Sequence, residues 1–319
     1  MSRKKLLFVF VVVAFVATLS VPAFAEYPLK TVKLITHSSP GGGTDRFLRQ
    51  AVGYLGPIMG VDFVVENVRG GSGAKAMAAL APAAPDGGTF YGSTPTYINT
   101  SLLSKPEYTY KDLEPVVCVF LDPMVAYTAA DSKFKTLKEA VDFAKNNPGK
   151  GTWGTGTPTE LGQEIIQRLK RVAGVNDVNV VSFEGGGDLM LNVLSGRLDF
   201  GMGEPGEILS QLQEGKLRIL ATFTDEEVKG LGAPTAKSQG YDVVLTKFRG
   251  IVGPKGLPAN VVKAWEDAIP KLLALPEYKA IYEGDYLIPN FMPQKDFKPY
   301  VEQRAANIEA YFKEIGIIK

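Results

Sequence analysis

Apolar positions along the chain alternate between a strand-like period of two and a helical period of 3.6. Thr31 to Thr36 (TVKLIT) predicts a buried strand that runs into Ser38 to Gly43. Phe47, Ala51, Tyr54 or Leu55, and Ile58 then recur at helical spacing and predict an amphipathic helix. Asp62 to Glu66 and Thr89 to Ser93 read as a second and a third strand. Val116 to Ala126 is a long apolar run broken by Asp122-Pro123, suited to crossing between two lobes. Thr136 and Glu139 form a capping box ahead of Leu137, Val141 and Phe143, in a helix ending near Asn146-Asn147-Pro148-Gly149. Thr157, Pro158 and Glu160 read as N-cap, N1 and N3 of a helix through Leu161, Ile165 and Leu169. Val178 to Phe183, Leu198 to Met202 and Leu217 to Thr222 predict further strands, and Pro258 opens another helix. Phe297, Tyr300 or Val301, Arg304, Ile308, and Tyr311 or Phe312 share one side of a last helix over about 294–314.

Such alternation predicts an α/β fold with largely parallel sheets. No internal repeat or low-complexity linker interrupts it, as expected of a chain that leaves one lobe, builds a second and returns. The expected architecture is two-lobed, each lobe a mixed, mostly parallel sheet flanked by helices. Lobe one would comprise 26–125 and 248–319, and lobe two 126–247.

The first 25 residues belong to neither lobe. Arg3, Lys4 and Lys5 precede the apolar run Leu6 to Val16, and Ala23-Phe24-Ala25 is a small-x-small site. This is the pattern of a secretory signal peptide cut after Ala25, and the run is shorter than the ~20 residues of a membrane span. No cysteine lies near the cut, which excludes lipid attachment there. The expected location is outside the cytoplasm. The leader removes three of the 35 basic residues and none of the 34 acidic ones, leaving a nearly neutral chain. Without clustered Lys and Arg, nucleic acid is not an expected partner. Cys118 is the single cysteine, so no internal disulfide forms and the fold rests on its hydrophobic core. A small buried apolar role suits Cys118 better than that of a nucleophile.

Chemistry concentrates in three segments of one design: a strand, a run of small residues, then a helix start. They are Leu34 to Asp45 (LITHSSPGGGTD), Trp153 to Glu160 (WGTGTPTE) and Ser182 to Leu189 (SFEGGGDL). The first N–H groups of a helix lack intrahelical partners and carry partial positive charge, so a carboxylate or phosphate can bind there without lysine or arginine. Glycine is equally the ordinary residue of a tight turn, and each run alone is compatible with that. Ligands of open α/β sheets collect at the carboxyl ends of strands, where all three loops would lie.

Other chemistries find little support. Gly41-Gly42-Gly43-Thr44 does not continue as G-x-G-x-x-G, and Gly70 to Lys75 lacks P-loop spacing. His37 is the only histidine, which excludes a multi-histidine zinc site. No carboxylate is placed beside it locally to complete a catalytic set, and a loop role lining a cleft suits it better. Ser72-Gly73-Ala74-Lys75 fits S-x-x-K without its companion motifs. Glu226-Glu227 reads as solvated surface. No cofactor and no metal are expected, and the chain is read as a binding protein rather than an enzyme.

Several motifs together carry a resemblance. Leu34 to Asp45, Val64-Val65-Glu66-Asn67, Ala84-Pro85-Asp86-Gly87 and Gly92-Ser93-Thr94 stand in order. Asp112 to Val116, Phe183 to Gly187, Leu194 to Asp199, Gly215 to Arg218 and Gly253 to Pro258 follow. In this combination the chain after the leader resembles the substrate-binding proteins of tripartite tricarboxylate transporters, the Bug or TctC family. The resemblance implies a periplasmic receptor whose two lobes close on an organic acid like a flytrap. It would deliver that ligand to a membrane permease of one large and one small subunit. The implied ligand contacts are Ser38, Ser39, Gly42, Gly43 and Asp45 in the first loop, and Ser93 and Thr94 after the third strand. The second lobe would add Thr155, Gly156, Thr157, Phe183, Gly185 and Glu204. Asp45 and Asp199 have an alternative structural role.

This chain departs from the family pattern where it has His37 and Ser38 for proline and an aromatic residue, and Phe183-Glu184 for tyrosine-lysine. Glu204 replaces a shorter polar residue. His37 and Glu184 are therefore candidate cleft residues. Glu184 or Glu204 facing the cleft would repel a second carboxylate and favour an amino or hydroxyl group on the ligand. A monomer is expected. Two other functions fit the same sequence: a periplasmic ligand-sensing subunit of a signalling receptor, and a serine hydrolase using Ser38, Ser39 or Ser72.

Overall fold

The computed structural model describes residues 27–183 and 185–319. The leader with its cleavage site, and Glu184, lie outside the described residues. The strands are β1 (Thr31–Thr36), β2 (Asp62–Asn67), β3 (Thr89–Ser93), β4 (Leu113–Pro123), β5 (Val125–Ala129) and β6 (Thr152–Thr155). They continue with β7 (Asn179–Ser182), β8 (Phe200–Gly203), β9 (Leu217–Thr222), β10 (Thr246–Pro254) and β11 (Ile288–Met292). The helices begin with α1 (Gly43–Met59), α2 (Ala74–Leu80), α3 (Pro95–Ser104), α4 (Leu137–Asn146) and α5 (Leu161–Ala173). After them come α6 (Gly186–Leu194), α7 (Pro205–Gln213), α8 (Ala259–Ala274), α9 (Pro276–Gly284) and α10 (Gln294–Glu314).

Two sheets organise the molecule. One has the order β11-β4-β10-β3-β1-β2, the other β7-β6-β8-β5-β9. In the first, α1 and α8 cover one face, where Phe47, Leu48 and Leu55 meet Trp265 and Ile269. On the other, Phe297, Val301 and Ile308 of α10 pack with Tyr91, Tyr97 and Phe248. Cover on both faces is why β4 is almost wholly buried, with Cys118 at 0% exposure as a small core residue. Edge strand β2 instead alternates exposed and half-buried positions. In the second sheet, Trp153 and Phe200 pack with Ile165 and Leu169 of α5. Leu189 and Val193 of α6 and Ile208 of α7 close its other face with Val125 and Tyr127.

The apolar run at Val116–Ala126 does cross between lobes: β4 ends in the first sheet at Pro123 and β5 enters the second at Val125. The chain returns beside it. Leu245 still donates to Phe223 O (2.9 Å) in the second lobe, while Thr246 pairs with Pro123 in the first. Two adjacent strand segments thus form the connection.

Two expectations need correction. The sheets are mixed but not mostly parallel: parallel pairing is confined to β1 with β2 and β3, and to β6 with β7 and β8. Every pairing of β4, β5, β10 and β11 is antiparallel, a consequence of the chain crossing and returning side by side. Thr157 is not a helix N-cap. Helix α5 starts at Leu161 with Glu160 as its N-cap residue, and no side chain caps it. The Glu160 carboxylate instead accepts from Gly156 N–H (2.6 Å) and Thr155 Oγ1 (2.8 Å), which turns Thr157-Pro158-Thr159 into a loop. By contrast, the capping box of Thr136 and Glu139 forms as expected.

Candidate ligand-binding cleft

The three glycine-rich loops converge between the lobes on one enclosed space of about 50 Å³. The first loop leaves β1 at Thr36 and enters α1 through Gly42, an extended residue at the N-cap. Gly41 takes a positive φ of 80°, a conformation glycine adopts without strain. Its N–H donates to the Asp45 carboxylate (2.9 Å), which also accepts from Asn67 Nδ2 (2.8 Å) and Arg49 Nε (2.9 Å). Asp45 therefore ties the first loop to α1 and β2 and lies off the cavity wall.

Of the residues expected to contact ligand, His37, Ser38, Ser39, Gly42, Gly43 and Thr94 line the cavity from lobe one. Gly156, Thr157, Gly185 and Glu204 line it from lobe two. Asp45, Ser93, Thr155 and Phe183 are not on its wall. Thr155 holds Glu160, and the Phe183 N–H donates to Thr155 O (3.1 Å) and Gly156 O (3.0 Å) behind the loop. Several glycines of the cavity have no room for a side chain, as two of them illustrate. A Cβ at Gly43 would strike the Arg249 guanidinium, and one at Gly185 would lie 2.6 Å from Ser39 Oγ across the cleft. Thr94 is 1% exposed, and its Oγ1 has no hydrogen-bond partner among the described residues. A buried hydroxyl left this way costs about 1–3 kcal/mol, which a bound ligand would recover.

Beyond Glu204, the residue pattern did not anticipate the charges here. Lys247 and Arg249 project from β10, and Glu160, Glu204 and Glu207 from lobe two, all onto the cavity. Lys247 pairs with Glu204, and Arg249 donates through Nε to Asp122 Oδ2 (2.7 Å) and through Nη1 to Thr44 Oγ1 (3.1 Å). The Lys247–Glu204 pair joins the lobes and is almost fully buried. Breaking such a pair by removing one member leaves an uncompensated charge. From the same helix turn as Glu204, Glu207 Oε1 accepts the N–H of Gly43 at the start of α1 (2.8 Å).

These surroundings move the titrations apart. Burial, and then the neighbouring Glu204 charge, push the Glu207 carboxyl up to about 8, against the pull of Lys247 and the Gly43 N–H. Burial also raises Glu160. Burial would raise Glu204 too, but Lys247 and Arg249 hold it below the usual carboxylate range. Burial and the same two cations push His37 down to about 4, so its imidazole is neutral at pH 7. Its Nδ1 is hydrogen-bonded with the Tyr91 hydroxyl at 2.6 Å, so that nitrogen serves no serine. Among the described residues, no group of three or more His, Cys, Asp or Glu could hold a metal ion. No helix there is long and apolar enough to cross a membrane.

The chain is similar to a UPF0065 protein in the gbd 5' region of Cupriavidus necator, 26% identical over 306 residues, covering 94% of this chain and 93% of that one. Its fold is similar to that of the periplasmic binding protein BugD, with TM-score 0.83 at 24% identity over 91% of this chain and 99% of that one. It is equally similar to R. palustris Rpa4515 with adipate, TM-score 0.85 at 22% identity, again over 91% and 99%. The sequence profile of the tripartite tricarboxylate transporter family receptors matches residues 47–317, and the chain belongs to that family.

Proposed function

We propose that this chain is a periplasmic receptor that closes its lobes on a small organic acid and delivers it to a tripartite tricarboxylate membrane transporter. The observation that carries this reading is the convergence of three glycine-rich loops on one interlobe cavity with an unpartnered buried Thr94 hydroxyl. In this reading Ser38, Ser39 and Thr94 donate hydroxyl hydrogen bonds to the ligand carboxylate, and Gly42, Gly156 and Gly185 keep backbone close to it. Asp45 and Thr155 shape the loops, and catalysis plays no part. The adipate bound by Rpa4515 supports an acid as the ligand class, because that protein has this fold.

A thermal-shift screen of purified, ligand-stripped protein against mono-, di- and tricarboxylates, aromatic acids and amino acids tests the proposal. A ligand at 100 times its dissociation constant stabilises by ~2.7 kcal/mol, a shift of several degrees. The expected result is a shift confined to one class of acid. No shift with any acid would overturn the reading.

A further inference from the structure

The acids and bases of the cleft do not balance. Lys247 and Arg249 face four carboxylates, those of Asp122, Glu160, Glu204 and Glu207. Arg249 matches Asp122 and Lys247 matches Glu204, while His37 is neutral. Glu160 and Glu207 bond instead to backbone, at Gly156 N–H (2.6 Å) and Gly43 N–H (2.8 Å). Those are N–H groups of two of the three glycine-rich loops. In both, the acceptor that the loop could hold is already supplied by the chain. A second carboxylate on the ligand would thus find no unmatched cation in a low-dielectric cleft, whereas an ammonium would let Glu207, raised to about 8, release its proton and pair with it.

Resting on the receptor reading above, we propose that the ligand is a short zwitterion, an α- or ω-amino acid with one carboxylate and one ammonium group. The ammonium group faces Glu207 and Glu160 and the carboxylate faces Ser38, Ser39 and Thr94. Three independent features support this. Among the described residues Glu207 and Glu160 make no salt bridge, Lys247 being paired with Glu204, so both can pair with an ammonium on the ligand. Thr94, 1% exposed on the cavity wall, keeps an Oγ1 with no partner among the described residues, available to the carboxylate end. The space of about 50 Å³ holds roughly four waters, which fits a short chain better than a tricarboxylate. Glu207 is then the residue that sets specificity, since it bridges the two lobes at Gly43 and makes no salt bridge among the described residues.

The test is calorimetric titration of ligand-stripped full-length protein with pairs matched in length: β-alanine against malonate, 4-aminobutyrate against succinate, and alanine against propionate. The expected result is at least tenfold tighter binding of the amino member in one pair or more. Glu207→Gln should shrink that preference, read as the ratio of the two affinities within a pair, by about tenfold. The wild-type comparison stands even where that variant does not fold. Equal or tighter binding of the diacids would overturn this inference and leave the receptor reading intact. If no probe binds and the wider acid screen is also silent, both fall.

Discussion

The two walls of the cleft are built on opposite principles. Lobe one presents hydroxyls and backbone, at Ser38, Ser39, Gly42, Gly43 and Thr94, with the cations Lys247 and Arg249 behind them. Lobe two repeats the glycine-rich design but adds Glu160, Glu204 and Glu207, so its wall is acidic. Where the walls meet, Glu204 sits on Lys247 and Glu207 on the Gly43 N–H at the start of α1. The contacts that join the lobes are therefore made by the same acidic side chains that line the space between them. A glycine loop makes an anion site locally, but what fills that site is decided by residues from the other lobe.

Breaking the pairing between the walls should have the largest effect. Lys247→Ala leaves Glu204 buried beside Arg249 alone, and should cost about 3–5 kcal/mol in urea unfolding. Replacing both members, Lys247→Met with Glu204→Leu, should recover most of it, since well-packed apolar substitutes for a buried pair are often neutral. Next comes Gly43→Val, whose side chain would displace Arg249 and Glu204. Ligand affinity should fall more than a hundredfold, about 3 kcal/mol, by calorimetry on protein with unchanged circular dichroism.

A pH experiment sharpens the comparison further. The Glu207 carboxyl is raised to about 8 in the folded chain, so the folded state holds a proton there that the unfolded chain releases near pH 4–5. Its contribution to stability is fully present below the unfolded value and is lost as pH rises toward 8. Relative to wild type, Glu207→Gln should therefore gain stability progressively between pH 5 and 8, on the order of a few kcal/mol. His37, lowered to about 4, acts with the opposite sign between about 4 and 6.5 and cancels in that difference. The smallest effect separates a real cap from an apparent one. Thr136→Ala should cost ~1 kcal/mol because its side chain accepts Glu139 N–H (3.1 Å). Thr157→Ala should cost less than ~0.5 kcal/mol, since it caps nothing.

Strands such as β1 and β3, the longest helix periods and the three loops were legible because each is encoded within a dozen residues. Strand direction was not: the apolar run of β4 marks it as buried but carries no sign for parallel or antiparallel pairing, and β10 and β11 are not among the predicted strands. The charges of the cleft were hidden for a related reason. Gly43 and Glu207 stand 164 residues apart, and Arg249 and Asp122 are separated by 127. Neither Lys247 nor Arg249 sits in a motif, and each looks like an ordinary polar residue in TKFRG. Glu204 was visible through the family pattern, and its neighbour Glu207 went unnoticed. Thr157-Pro158-Thr159-Glu160 has the right letters for a helix start, but the carboxylate finds Gly156 and Thr155 first.

The central claim is that a small acid binds between the lobes, and stoichiometric titration tests it most directly. Ligand-stripped wild type should take up one molecule of a carboxylate-bearing ligand per chain, and folded Gly43→Val should take up none. Equal uptake by both proteins, or no uptake by the wild type, would contradict the account.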